Sequence, residues 1–341
     1  MDAGSPHSSE ILEPLLTVRN LSVYFRTHHG LLKAVDDVSL RIDGGETLGL
    51  VGESGCGKSV TAFSILRLVP SPPGEYSGGQ VSFGGEDLLK ASEQRLRGIR
   101  GGQISIVFQE PLSSLNPILT IGEQIIEVIR EHEHCTAREA KTRAIDMLGR
   151  TGISSPETRF HDYPHQLSGG MIQRAMIAMA LVCHPRLLIA DEPTTALDVT
   201  IQAKILDLLA ELRREFQMAM LLITHDLGVV AETCDRVAVM YAGKIVEYGT
   251  VEALFRNPAH PYTHGLFRSL PSLVERTETL PVIPGNVPDP LDLPVGCHFR
   301  PRCSIAQGIC DAEPALREIA SGQFAACHFA ESVITMARGS V

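Results

Sequence analysis

Short apolar runs and longer periodic stretches alternate along this chain. TLGLVG (47–52), ISIVFQE (104–110), RLLIADEP (186–193) and MAMLLITHD (218–226) are apolar runs closed by glycine or polar residues. They predict buried strands. LLTVRNLSVYF (15–25) partly alternates, VSLRI follows HHGLLKAV, and VAVMYAGKIVEYG (237–249) has the pattern of a hairpin. SVTAFSILRLV, TIGEQIIEVIREHE, EAKTRAIDMLGRTGI, MIQRAMIAMALVCHP and VTIQAKILDLLAELRREF (199–216) place apolar residues at helical spacing, and Pro185 stops the fourth. GVVAETCDR is a shorter helical piece. SPPGEYSGG (71–79) reads as a loop, and the proline-rich TLPVIPGNVPDPLDLPVG (279–296) as an ordered but irregular one. Strands alternating with helices, with glycine-rich or acidic strand ends, predict an α/β fold with its sites beyond those ends. A helical insert is expected at about 115–184, and the composition shifts near residue 256. The division expected is 14–256, an extension over 257–330, and tails at 1–13 and 331–341.

The 341 residues are 44% apolar and 21% charged, which suits a folded protein. A formal charge of -10 sets the overall field against nucleic acid, and no nucleic-acid partner is expected. The N-terminal MDAGSPHSSEILEP has neither the basic start nor the apolar stretch of a signal peptide. The apolar runs fall far short of the roughly 20 residues that span a bilayer. A cytosolic, reducing location is expected, which weighs against disulfides. Cys56, Cys135, Cys183 and Cys234 are scattered and suit packing.

GESGCGKS (52–59) fits G-x-x-x-x-G-K-S between a strand and a helix, the context a phosphate-cradling loop requires. Backbone N–H groups of Ser54, Gly55, Cys56, Gly57, Lys58, Ser59 and Val60 can converge on phosphate oxygens. Lys58 would reach the β- and γ-phosphates, and the Ser59 hydroxyl would serve Mg²⁺. LLIADE ends a strand in two carboxylates: Asp191 for the Mg²⁺ shell, Glu192 to polarise the attacking water. LSGGMIQR (167–174) is a second anion-binding turn, with Ser168 as cap and Gly169 and Gly170 exposing N–H groups. Spacing leaves open whether both turns meet one ATP within a chain or across two chains.

In this order, GESGCGKS, the glutamine of VFQEP (Gln109), LSGGMIQR, LLIADEP, ALD (196–198) and the histidine of ITHD (His225) resemble the ATP-binding subunit of an ABC transporter. The resemblance spans about residues 14–255 and implies a P-loop NTPase cassette: a RecA-like core with an antiparallel β subdomain and a helical subdomain. It implies that LSGG meets the ATP held by the opposite subunit's P-loop. Phe25 matches the position that stacks on adenine, and Tyr24, on the other face of the strand, is the fallback. Gln109 would join Ser59 and Asp191 around Mg²⁺ and the water. Asp198 would link the two sites, and His225 would hold the γ-phosphate. With Glu192 and His225 both present, the resemblance implies an intact ATPase.

NPAHPYTHGLFRSLP (257–271), the proline-rich loop and GCHFRPRC resemble the dipeptide/oligopeptide/nickel import branch. That branch implies import of short peptides, with nickel or another small solute as the alternative. It implies a second, paralogous ATPase, two membrane permeases and an extracytoplasmic binding protein, and a place on the cytoplasmic face of the cell membrane. Two readings from other classes are a non-transport ABC-type ATPase and a regulatory nucleotide binder without turnover. A single cassette weighs against the first, and Glu192 against the second.

Cys297, Cys303, Cys310 and Cys327 crowd the extension with five, six and sixteen residues between them. This is not the spacing of zinc knuckles or of bacterial ferredoxins. Four thiolates would satisfy Zn²⁺ or a 4Fe–4S cluster, while buried packing or redox use stays open. The branch resemblance implies a 4Fe–4S cluster on these four positions, with zinc as the alternative. Arg300 and Arg302 would then offset thiolate charge, and His298 and His328 would be bystanders.

Overall fold

The computed structural model describes residues 13–195, 198–269 and 282–338. Of the stretches singled out above, Ala196 and Leu197 of ALD, and 270–281 between the helical and proline-rich parts of the extension, lie outside them. Twelve strands are described. In chain order they are β1 Leu16–Thr27, β2 Gly30–Ile42, β3 Thr47–Val51, β4 Gly74–Phe83, β5 Glu86–Asp87 and β6 Ile104–Val107. Then come β7 Leu187–Asp191, β8 Ala219–Ile223, β9 Arg236–Tyr241, β10 Lys244–Thr250, β11 Arg317–Ala320 and β12 Gln323–Ala325.

The larger sheet runs β11-β12-β10-β9-β3-β8-β7-β6. Its centre, β9-β3-β8-β7-β6, is parallel, and β10, β12 and β11 join antiparallel. The uninterrupted apolar runs are explained by burial on both faces. Leu187, Ile189, Leu221 and Ile223 enter one core with Leu48, Leu50 and Ile65, while Leu188, Ala190, Met220 and Leu222 enter a second. That second core is filled by helices Ile121–His132, Ala137–Arg150, Gly169–Leu181 and Val199–Phe216. The first two begin at capping boxes, Thr120 with Glu123 and Thr136 with Glu139, which satisfy the N–H groups a helix start leaves orphaned.

A smaller antiparallel sheet, β2-β1-β4-β5, covers the first core. Residues 71–79, expected as a loop, supply much of β4 instead. The glycines that suggest a loop serve pairing with β1. At Gly79 (φ 98°) a Cβ would come within 2.6 Å of Asn20 O and Leu21 Cα, so only glycine allows this approach.

The C-terminal extension docks on β10. β12 pairs with it, and the buried Glu247 of β10 accepts from the N–H groups of Ala259 (2.9 Å) and His260 (2.9 Å) and from Gln323 Nε2 (3.0 Å). Tyr241, Tyr262 and Phe299 cluster beside this staple: the Tyr241 ring is tilted against Tyr262 (centroids 4.6 Å apart) and edge-on to Phe299 (5.2 Å). Such aromatic pairs contribute about 0.5–1.5 kcal/mol each beyond burial. The sequence patterns gave no signal for β11, β12 or helix Ala330–Arg338. Among the described residues no helix is long and apolar enough to cross a membrane.

Candidate functional site

The loop after β3 leads into helix Lys58–Ile65. Gly57 (φ 108°) sits at its start, and a Cβ there would stand 2.2 Å from Ala34 O. No other residue type fits both that space and that backbone. Lys58 is buried and donates from Nζ to Gly52 O (2.9 Å) and Glu53 O (3.1 Å), which holds the ammonium across the loop. Ser59 Oγ donates to Asp191 Oδ1 (3.1 Å) at the end of β7. Burial pushes the Asp191 carboxyl above its ordinary range, with the Ser59 hydrogen bond pulling against it.

The next residue, Glu192, takes a left-handed backbone (φ 45°), secured by its N–H to Ile223 O (2.9 Å). The turn swings its carboxylate out of the sheet line. Three groups meet it there. Gln109 Nε2 donates to Oε2 (3.0 Å), Thr195 Oγ1 donates to the same oxygen (2.9 Å), and His225 Nδ1 lies 3.5 Å from Oε1. Thr195 was missed by sequence reasoning. A threonine three residues beyond an acid has no distinguishing signal until the turn brings its hydroxyl back.

Glu192, Gln109 and His225 share one cavity of about 770 Å³ with the loop after β3. Phe25, Ser54, Gly55, Gly57, Lys58, Ser59, Val60, Gln109, Glu192 and His225 all line it. Phe25 does so where Tyr24 does not: the Tyr24 hydroxyl donates to Asp36 Oδ1 (2.6 Å) instead. Cys56 is buried away from the cavity, and its N–H goes to Glu53 O (3.3 Å). Asp191 lies behind Ser59 as a buried carboxylate. Gln109 is bonded to Glu192 rather than to the Ser59–Asp191 pair.

The second glycine turn does not join them. Ser168 and Gly169 are exposed, and neither they nor Gly170 lines the cavity. Ser168 stands at the helix N-cap position, but its side chain makes no capping hydrogen bond, contrary to the expected cap. Asp198 is exposed and does cap a helix, accepting from Ile201 N (2.9 Å). The helix Gly169–Leu181 is tied to the segment after β7 through Gln173 Nε2, which donates to Pro193 O (2.6 Å).

Two family patterns match the chain: ABC transporter over residues 35–195, and the C-terminal region of oligopeptide/dipeptide transporters over 246–310. A probable peptide ABC transporter ATP-binding protein of Sinorhizobium fredii is 50% identical over 94% of this chain and 97% of its own length. The chain belongs to the ABC-transporter ATP-binding subunits, in the oligopeptide/dipeptide branch. The oligopeptide transport ATP-binding protein OppD of Escherichia coli is 48% identical over 95% of this chain and 96% of its own. A dimeric bacterial ABC transporter cassette of known structure covers 69% of this chain and 98% of its own, at 29% identity and a TM-score of 0.62. This ABC subunit therefore has the expected fold class, a RecA-like ATPase core with mixed sheet and helical subdomains and a small C-terminal extension. It is an ATPase coupled to transport, within a multi-subunit importer.

The expected metal cluster is corrected. Among the described residues no group of three or more histidine, cysteine or acidic side chains is arranged to hold a metal ion, so neither a 4Fe–4S cluster nor zinc is placed on Cys297, Cys303, Cys310 and Cys327. The four thiols line one small cavity of about 10 Å³, walled by Phe299, Ile305 and Phe329. Burial raises the Cys297 and Cys303 thiols above their ordinary range and pushes Cys327 up to about 11, so they stay protonated. Such thiols pack as small apolar groups. The arginines have other partners too. Arg300 Nη1 pairs with Asp311, and Arg302 Nη1 reaches both Glu53 oxygens at 3.0 Å.

Proposed function

We infer that this subunit hydrolyses ATP to power import of short peptides through an oligopeptide/dipeptide-type ABC importer. The observation that carries the reading is the meeting of two sets of groups on one cavity. Lys58 and Ser59 come from the phosphate loop, and Gln109, Glu192 and His225 from three strand ends. Lys58 binds the β- and γ-phosphates, beside N–H groups at a helix start. Phe25 stacks on the adenine. Glu192 polarises the attacking water, aimed by its bonds from Gln109 and Thr195, and His225 contacts the γ-phosphate. Positioning and charge stabilisation by pre-arranged groups are what phosphoryl transfer demands of a protein.

The residues fit Mg²⁺, a hard cation that takes oxygen ligands. The Ser59 hydroxyl lines the cavity and the buried Asp191 carboxylate lies directly behind it, so the two are adjacent oxygen ligands, with Gln109 nearby on Glu192. Ser59 would hold the ion directly, and Asp191 and Gln109 directly or through water. When bound it supplies positive charge to the β- and γ-phosphate oxygens.

The exposure of Ser168 and Gly169 supports their meeting a partner's nucleotide, with Asp198 at the same dimer face. The partner is a paralogous ATPase, and the pair works under two permeases fed by an extracytoplasmic binding protein, at the cytoplasmic face of the membrane. Residues 14–256 form the cassette and 257–330 the extension. The names of the relatives favour peptides over nickel as cargo.

Reconstituted vesicles holding the assembled transporter test this. Labelled di- to pentapeptide should accumulate only with ATP on the cytoplasmic side, and a Lys58→Ala subunit should stop it. Accumulation of nickel but not peptide would overturn the cargo, and peptide accumulation without ATP would overturn the energy source.

A further inference from the structure

The cassette does not enclose the nucleotide cavity by itself. Val287, Pro288, Pro290 and Leu293, from the proline-rich segment of the extension, line it together with Phe25 and the phosphate loop. The segment is secured along its length. Ahead of it, Arg302 Nε donates to Pro284 O (3.0 Å) while Nη1 holds Glu53 beside the loop's first glycine. Within it, Asp289 accepts the N–H of Leu291 on its carboxylate (2.9 Å) and that of Asp292 on its carbonyl (2.9 Å). Behind it, His298 Nδ1 is hydrogen-bonded to Ala242 O (2.8 Å), and Ala242 is itself part of the cavity lining. The segment also leans on the turn between β1 and β2, the hairpin that carries Phe25: Leu291 Cδ2 lies 4.0 Å from where a Gly30 Cβ would stand.

Such a wall suits one part of the ligand. The charged end of a nucleoside triphosphate belongs with Lys58 and the N–H groups of the phosphate loop. Four apolar side chains offer phosphate nothing, but they offer a purine and ribose a dry surface. Two of the four are prolines, whose fixed φ leaves little backbone freedom to lose on contact. Taking the cavity as the ATP site, as inferred above, we propose that residues 287–293 form the wall against the adenosine end of ATP. The extension is then a nucleotide-binding part of the subunit, and Arg302 is the positioning residue that fastens this wall to the phosphate loop through Glu53.

Calorimetric titration of the full-length protein with ATP and with inorganic tripolyphosphate separates the two ends of the cavity. Val287→Ser combined with Leu293→Ser should weaken ATP binding about tenfold and tripolyphosphate binding less than about twofold. Unchanged ATP affinity, or equal weakening of both ligands, overturns the proposal. Lys58→Ala should weaken both ligands; if it weakens neither, the cavity is not the phosphate site and the ATP reading itself falls. Photolabelling of the unaltered protein with ATP bearing an azide on the purine ring needs no variant to fold. Label is expected on the peptide spanning 282–302, and label confined to peptides of the cassette contradicts the wall.

Discussion

The nucleotide cavity and the thiol cluster of the extension both gather reactive side chains, and they differ in room and in partners. The first is about 770 Å³, and its acid, amide, hydroxyl and imidazole groups hold one another at hydrogen-bonding or near-bonding distance. The second is about 10 Å³, and its thiols are walled by aromatic and aliphatic side chains. Crowding of reactive residue types is thus no guide to chemistry. A site needs space for a ligand and polar side chains that hold its groups in the working state; the thiols have almost no room, and Cys327 Sγ meets a backbone N–H, that of Phe329 (3.4 Å).

That contrast can be broken in four places. The largest effect is expected at Gly57→Ala, where a Cβ meets Ala34 O and a left-handed backbone at once. ATP affinity should fall on the order of 100-fold, measured by fluorescent-nucleotide titration. An affinity near that of the unaltered protein would mean the loop is looser than its hydrogen bonds indicate. Arg302→Ala should cost about 2 kcal/mol in denaturant unfolding, because it strands Glu53 and empties a largely buried place beside Tyr241. A cost below about 0.5 kcal/mol would show that the joint between extension and phosphate loop rests on other contacts.

His260 gives the extension a pH response. It is buried, Nδ1 accepts from Tyr262 N (3.1 Å), and burial lowers its pKa to about 3. The folded state therefore keeps the ring neutral where the unfolded chain protonates. Its contribution is complete above the ordinary histidine range and is lost as pH falls toward 3. Glu247, raised to about 7 by burial, acts in the opposite sense: its contribution is present below the ordinary carboxylate range and lost as pH rises through 7. His260→Asn keeps an acceptor without titrating. The stability lost between about pH 7 and pH 5 should be smaller in the variant by about 2 kcal/mol, read from thermal melts. Parallel pH profiles would remove His260 from the account. The smallest effect belongs to Cys327→Ala, about 1 kcal/mol of stability with nucleotide binding unaltered. A loss of nucleotide binding there would join the two regions more closely than their packing does.

Much of the fold and of the candidate site was legible in the sequence, for a physical reason. The proposed phosphate loop and the paired acids are contiguous residues at strand ends, so GESGCGKS and LLIADE carry their geometry in their order. Continuous apolar runs marked the central strands because both faces are covered. What was not legible depends on residues far apart in the chain. Glu53 finds Arg302, Glu192 finds Gln109 and His225, and Val287 to Leu293 find the cavity only once the sheet has formed. β4 was hidden because its glycines serve close pairing rather than a turn. The cysteines misled because their spacing says nothing of burial, and burial keeps Cys297, Cys303 and Cys327 protonated.

The central claim is that Glu192, held by Gln109 and Thr195, drives ATP hydrolysis in this cavity. Phosphate release by the assembled transporter, measured with Glu192→Gln in this subunit alone, tests it most directly. Turnover at this site should fall at least about 100-fold while ATP affinity stays within about twofold. Turnover at the unaltered rate, with the partner's own site disabled, would contradict the claim.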